Sequence, residues 1–133
     1  MIRPILVLDF DGVLHSYSSG WKGAASIPDP PVPDAMEFLS LAVERFDVHI
    51  LSSRSNQEGG IHAMSTWIQR ELRDHFEHHH IADSVFRKLS FPTQKPAAFL
   101  TIDDRAITFT GKWPSIESLL AFKPWNRRDG SKA

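Results

Sequence analysis

Ile5-Leu6-Val7-Leu8-Asp9-Phe10-Asp11-Gly12-Val13-Leu14 is the stretch whose reading decides the fold. Its four leading apolar residues predict a strand buried on both faces, the kind found in parallel sheets. The run then delivers two carboxylates two residues apart. Side chains alternate along an extended segment, so Asp9 and Asp11 share a direction while Phe10 points away into the core. Gly12 lets the backbone turn sharply where a residue with a Cβ would be strained. Carboxylates held this close repel unless a cation or a shared proton relieves them, and a hard divalent ion with oxygen ligands is the natural relief. A calcium loop is the competing reading. It is disfavoured because no Asp-x-Asp-x-Asp-Gly frame with a later Glu follows, and because the run begins on a strand.

Working outward, residues 15–33 form a long connection of small and turn residues closed by the prolines of Ile27-Pro28-Asp29-Pro30-Pro31-Val32-Pro33. Its place directly after the paired aspartates predicts a flap over a site. From Asp34 the pattern turns helical, with Met36, Leu39, Val43 and Phe46 on one stripe. Pro33 and Asp34 suit the positive N-terminal end of that helix. Residues 47–51 read as a second strand ending in Ser52-Ser53-Arg54. A second helix follows Gly59-Gly60, its apolar face made by Ile61, Met64, Ile68, Leu72 and Phe76, and it ends in the polar run 75–80. His78-His79-His80 reads as solvated, because consecutive positions cannot all face one ion. Residues 86–91 predict a third strand, 99–102 a fourth and 106–110 a short fifth. A last helix over 115–122 leads to a tail, 123–133, held in part by Trp125. Lys123, Arg127, Arg128 and Lys132 give that tail a modest basic character, read as solubility rather than nucleic-acid contact.

Alternating strands and helices predict an α/β protein: a three-layer α/β/α sandwich with a mostly parallel, Rossmann-like sheet and no inserted cap domain. Function in such sheets gathers at the carboxyl ends of strands, where the polar groups singled out here lie. At 133 residues the chain suits a single domain, 1–133. A formal net charge of −1 excludes any global attraction to nucleic acid or anionic lipid, so an anion-binding surface must be local. The absence of cysteine removes disulfides, thiolate metal sites and cysteine nucleophiles together. Neither a signal-peptide pattern nor an apolar run of spanning length is present, which predicts a cytoplasmic protein with no membrane partner.

Asp9-Phe10-Asp11-Gly12-Val13-Leu14 after an apolar strand resembles the first motif of the haloacid dehalogenase (HAD) superfamily of aspartate-nucleophile phosphotransferases. The resemblance implies a Mg²⁺-dependent phosphatase in which Asp9 is the nucleophile and Asp11 the general acid and base, with a pKa above that of Asp9. Ser52, closing the second strand, matches the second motif, whose hydroxyl binds the phosphoryl group; Ser53 is its neighbour. Lys95 matches the third motif, a basic residue that neutralises nucleophile and phosphate, with Lys88 as the alternative. The gap from Lys95 to Asp103 is shorter than in relatives, which often carry a helix there. Asp103-Asp104 ends an apolar strand and matches the acidic fourth motif. Magnesium would then be held by Asp9, Asp103 and the backbone carbonyl of Asp11, with Asp104 binding it directly, through water, or orienting Lys95.

Ser52-Ser53-Arg54 and Asp103-Asp104-Arg105, followed by Trp113, also resemble segments in the phosphatase half of phage polynucleotide kinase-phosphatases. That likeness implies a substrate among nucleotides or nucleic-acid 3′-phosphate ends. No G-x-x-x-x-G-K-[ST] segment is present, so the kinase half has no counterpart. Arg54 is expected either to fork onto a phosphate oxygen or to sit in a surface ion pair. Arg105 and Gly12 join the expected substrate contacts. Trp21 is expected to anchor the flap or to stack on a base. His15 lies near the site in sequence. A small sugar or metabolite phosphate is the alternative substrate, and a non-catalytic phosphate-binding module the alternative function.

Overall fold

The computed structural model describes residues 2–127. In chain order it contains β1 (Ile5–Leu8), α1 (Ala35–Ala42), β2 (Asp47–Ile50), α2 (Gly60–His75), α3 (His79–Arg87), β3 (Leu89–Ser90), β4 (Leu100–Ile102) and α4 (Ile116–Leu120). Short 3₁₀ turns occupy Ser53–Asn56 and Trp125–Arg127. The four strands form one parallel sheet in the order β3-β2-β1-β4, an α/β architecture without an inserted cap. The chain moves outward from β1 to β3 and then returns to the far side of β1. That reversal opens a crevice at the strands' carboxyl ends beside β1. No helix among the described residues is long and apolar enough to cross a membrane.

β1 sits in the middle because its sequence tolerates burial on both sides. Leu6, Val7 and Leu8 are all buried. Leu6 and Leu8 share a core with Val48 and Ile50 of β2, with Met36 and Leu39 of α1, and with Met64, Ile68 and Leu72 of α2. Phe10 joins the same cluster, fully buried, with its ring edge-on to Trp67 at 5.2 Å, as the alternation after β1 requires. Each such side chain contributes about 1.5–3 kcal/mol through burial, so the core lies between the sheet and α1, α2 and α3. The register pairs Leu8 with both Ile50 and Ile102. Asp9 therefore leaves the sheet beside Asp103, and Ser52 follows two residues after the paired Ile50.

Two expectations are corrected. Residues 79–87 are a helix, and only Leu89–Ser90 of the expected third strand pairs with β2. Val85 and Phe86 favour strands intrinsically, but Ala82, Val85 and Phe86 lie three and four apart and pack as a helical face against the core. Arg73 of α2 forks onto Asp83 of α3 with two 2.9 Å bonds and fixes the pair. Second, residues 106–110 form no strand. Ile107 and Phe109 alternate correctly, yet the segment lies off the sheet, and a strand without a ladder has little to stabilise it. Asp34 stands at the N-terminal end of α1, as expected, with a left-handed backbone (φ 67°) and no side-chain cap bond. The basic residues Arg128 and Lys132 lie outside the described range.

Gly60 opens α2 where a Cβ would run into the backbone carbonyl of Arg54. Backbone cannot step aside as a side chain tip can. Gly60→Ala should therefore cost about 2–3 kcal/mol, despite alanine's better helix propensity, seen as a lower urea midpoint at unchanged m-value.

Candidate active site

The carboxyl ends of β1, β2 and β4 converge on a cleft of 160 Å³ lined by Asp9, Asp11, Tyr17, Trp21, Ser52, Ser53, Asp104 and Arg105. Asp9 is tied to the sheet by its N–H, which donates to the Ile102 carbonyl at 3.0 Å. Its Oδ1 accepts from the Phe10 N–H at 2.8 Å. Asp103 and Asp104 follow β4 directly, and one carboxylate oxygen each from Asp9, Asp103 and Asp104 lie within 4.8 Å of one another. Asp103 also accepts from the Arg105 N–H at 2.8 Å, an Asx-type turn that fixes the loop.

Three acids this close need positive charge. Burial, and then the neighbouring Asp104 and Asp103, push the Asp9 carboxyl up to about 8. Burial raises Asp104 as well. Asp104 Oδ1 is buried with no hydrogen-bond partner. Gly12 (φ 83°) passes so close that a Cβ there would collide with the Asp104 carboxylate. An unpartnered oxygen, hard oxygen donors and an ionisation cost near neutral pH together fit a divalent cation such as Mg²⁺.

Asp11 has the opposite environment. Its Oδ2 accepts from Arg54 Nε at 2.9 Å, and its Oδ1 from Arg54 Nη2 at 3.0 Å and from His15 Nδ1 at 2.9 Å. Burial alone would raise this carboxyl, but His15 and Arg54 outweigh it and hold it below the usual carboxylate range. The expected order, Asp11 above Asp9, is thus reversed in the metal-free protein. The Asp11 side chain is not part of the acidic cluster around Asp9; Arg54 and His15 already occupy it.

Arg54 explains why the flap has a shape. Its side chain is fully buried, and Nη1 donates to the carbonyls of Gly23, Ala24 and Ser26 at 2.9–3.0 Å. Trp21 lies over the guanidinium, 4.8 Å from ring centre to Cζ, and stays half exposed to the cleft. Neither role expected for Arg54, phosphate fork or surface ion pair, is what the structure shows. The guanidinium is an internal pin, its donors spent on Asp11 and the flap. Trp21 takes the anchoring role while keeping exposed surface.

Ser52 lies on the cleft and caps the 3₁₀ turn, its Oγ accepting from the Arg54 N–H at 3.1 Å. The hydroxyl proton stays free to donate outward. Ser53 lines the cleft beside it. Lys95 is exposed, makes no ion pair among the described residues and does not line the cleft. Lys88 precedes β3, at the wrong end of the sheet, and pairs with Glu44 at 3.5 Å. Arg105 is the one cation among the residues lining the cleft.

Sequence reasoning passed over Asp29 and Tyr17, and placed His15 near the site without giving it a role. His15 is fully buried; its Nε2 accepts from the Asp29 N–H at 3.1 Å, which puts the neutral ring's proton on Nδ1, facing Asp11. Asp29 is itself buried and accepts from the Ser19 N–H at 2.8 Å. Tyr17 reaches the cleft from a left-handed backbone (φ 61°), a strained state for a bulky residue. A histidine four residues after the acid, followed by an aspartate among prolines, was the available signal.

Two outcomes follow from these fields. A carboxyl raised in the folded state stabilises fully below its unfolded value of about 3.9, and that contribution is lost as pH rises through about 8. Metal-free protein should lose melting temperature across that window, and Mg²⁺ should restore more of it at the alkaline end. Asp11 has the reverse sign: its contribution is present above the unfolded value and lost as pH falls through the lowered folded one. Arg54→Met strands a buried carboxylate and three carbonyls, so urea unfolding should register a loss of about 3–5 kcal/mol. A carboxyl titration by NMR should also show Asp11 moving upward.

Compared with known proteins, the chain matches no family model, no curated protein and no solved structure. What the site does must be argued from its own geometry.

Proposed function

We propose that this chain is a Mg²⁺-dependent phosphomonoesterase of the haloacid dehalogenase type, working through an aspartyl-phosphate on Asp9. The observation that carries the reading is the pairing of opposite environments within one cleft. Asp9 sits among unneutralised acids with an orphaned oxygen beside it, and Asp11 is locked two residues away by a buried arginine and a histidine. Magnesium held by Asp9, Asp103 and Asp104 would supply the positive charge that lets a phosphate dianion approach a carboxylate.

The residues of the chain supply the rest. An Asp9 carboxylate oxygen attacks phosphorus in line, forming the O–P bond as the bond to the leaving oxygen breaks. Ser52 donates its free hydroxyl proton to a phosphoryl oxygen, and Arg105 adds charge in the role the sequence suggested for Lys95. Asp11 takes up a proton from solvent water in the open cleft as the dianion draws near, because like charge raises a carboxyl, and passes it to the departing oxygen. It then removes a proton from the water that hydrolyses the acyl phosphate. Arg54 and His15 hold the Asp11 carboxylate still for both transfers. The absence of cysteine suits work in a reducing cytoplasm.

A 160 Å³ cleft holds a phosphoryl group but not its carrier, since whole-ligand pockets run to about 300–1,000 Å³. With no cap over the cleft, the carrier lies outside it, as a nucleotide or a nucleic-acid 3′ end would, against the exposed part of Trp21. A second reading, a small sugar or metabolite phosphate, is favoured by Arg105 being the cleft's single cation, because polynucleotides usually follow several.

Asp9→Asn should abolish Mg²⁺-dependent hydrolysis of an aryl phosphate, and turnover by that variant would remove Asp9 as nucleophile. Arg105→Ala should lower kcat/KM about a hundredfold, while Lys95→Ala should leave it within about twofold. Rates on a 3′-phosphorylated oligonucleotide, mononucleotides and sugar phosphates, with and without Mg²⁺, separate the two substrate readings.

A further inference from the structure

After Arg105 the chain leaves the body of the protein. Residues 106–121 are exposed throughout, including α4. Both ends of this arm are nevertheless fixed. One is the Asp103–Arg105 turn at the cleft. The other is Trp125, whose Nε1 donates to the Gly12 carbonyl at 2.7 Å, with Asn126 donating to the Ser16 carbonyl at 3.0 Å. The exposure is therefore not that of a frayed end.

The arm's surface is apolar. Ile107, Phe109, Trp113, Ile116 and Leu119 line a single groove of 980 Å³, and Trp113 is 87% exposed. Next to the arm in sequence, β4 is an edge strand, and its Leu100 and Ile102 are 52% and 38% exposed. Together these side chains and their neighbours expose on the order of 1,000 Å² of apolar surface, comparable to the roughly 800 Å² per partner that a standard stable interface needs.

We propose that this arm is a self-association surface: in a two-fold dimer, the apolar face of each copy's arm covers the open strand β4 of the other. The charge pattern fits a second copy rather than a polyanion, because Lys112 and Glu117 are the only charges in 106–122 and they cancel. A two-fold contact needs a self-complementary surface, and this chain carries both halves: an unpaired parallel edge and a segment, 107–110, with strand alternation and no ladder. Dimerisation would also brace the cleft, since the arm joins its acidic loop to its Gly12 turn.

Sedimentation equilibrium on the full chain at micromolar concentration tests this. The expected result is twice the chain mass, with Trp113→Asp and Ile116→Asp each weakening association at least about thirtyfold while the circular dichroism stays unchanged. A wild-type chain of single mass, or a dimer indifferent to both substitutions, overturns the proposal. The chain has no cysteine, so placement can be checked by mixing copies carrying Thr101→Cys with copies carrying Thr108→Cys. A disulfide between copies supports the arm on β4. A dimer that gives no such cross-link, or a disulfide closing within one chain that carries both substitutions, overturns it.

Discussion

A guanidinium with no exposure to water holds this protein's candidate site together. Burying a charge costs several kcal/mol unless nearly every donor finds a partner, and Arg54 meets that condition by forking onto Asp11 and binding three flap carbonyls. The same residue thereby fixes the Asp11 carboxylate and shapes a connection that has no helix or extended strand of its own. Gly60 must lack a side chain because the Arg54 backbone passes against it, and Trp21 packs over the guanidinium from the flap. The flap of 15–33 is therefore a pinned wall. Asp29 adds a second pin through Ser19 and His15.

Around that pin, two aspartates of identical intrinsic chemistry acquire different properties. Asp11 meets a cation and a histidine and is held ionised. Asp9 meets burial and two further acids and resists ionisation. Separation of two carboxyl groups by environment alone is how one site acquires distinct nucleophile and proton-transfer roles at neutral pH. Asp9, Asp103 and Asp104 at the tips of β1 and β4 each offer a carboxylate oxygen within 4.8 Å of the others, an arrangement that could hold a cation. Gly12 allows Asp104 to approach that closely, and Trp125 holds the Gly12 carbonyl from the far end of the chain.

The molecule is unevenly finished. Its core between sheet and α1, α2 and α3 is closed, whereas residues 105–121 are exposed until Phe122 and Pro124 return to the body. β4 is three residues long and pairs on one edge only. Its outer edge and the apolar arm that follows share one need, a covering surface.

From the sequence alone came the alternating strand and helix order, the parallel sheet, the core stripes of α1 and α2, and the meeting of Asp9, Ser52 and Asp103-Asp104 at one sheet edge. These are legible because hydrophobic periodicity and strand ends are local properties. Residues 79–87 were misread as loop and strand because nine residues with mixed propensity are settled by what they pack against. Residues 106–110 were misread because strand alternation does not say whether a neighbour exists to pair with. Which cation serves the cleft was decided only in three dimensions. The sequence pointed to Lys95, with Lys88 as the alternative and Arg54 and Arg105 as substrate contacts, but folding buries Arg54, leaves Lys95 outside and lines the cleft with Arg105. The relative acidity of Asp9 and Asp11 was likewise fixed by tertiary structure, because a pKa reports what surrounds a carboxyl in space, and the two residues' partners lie as far along the chain as Arg54 and Asp104.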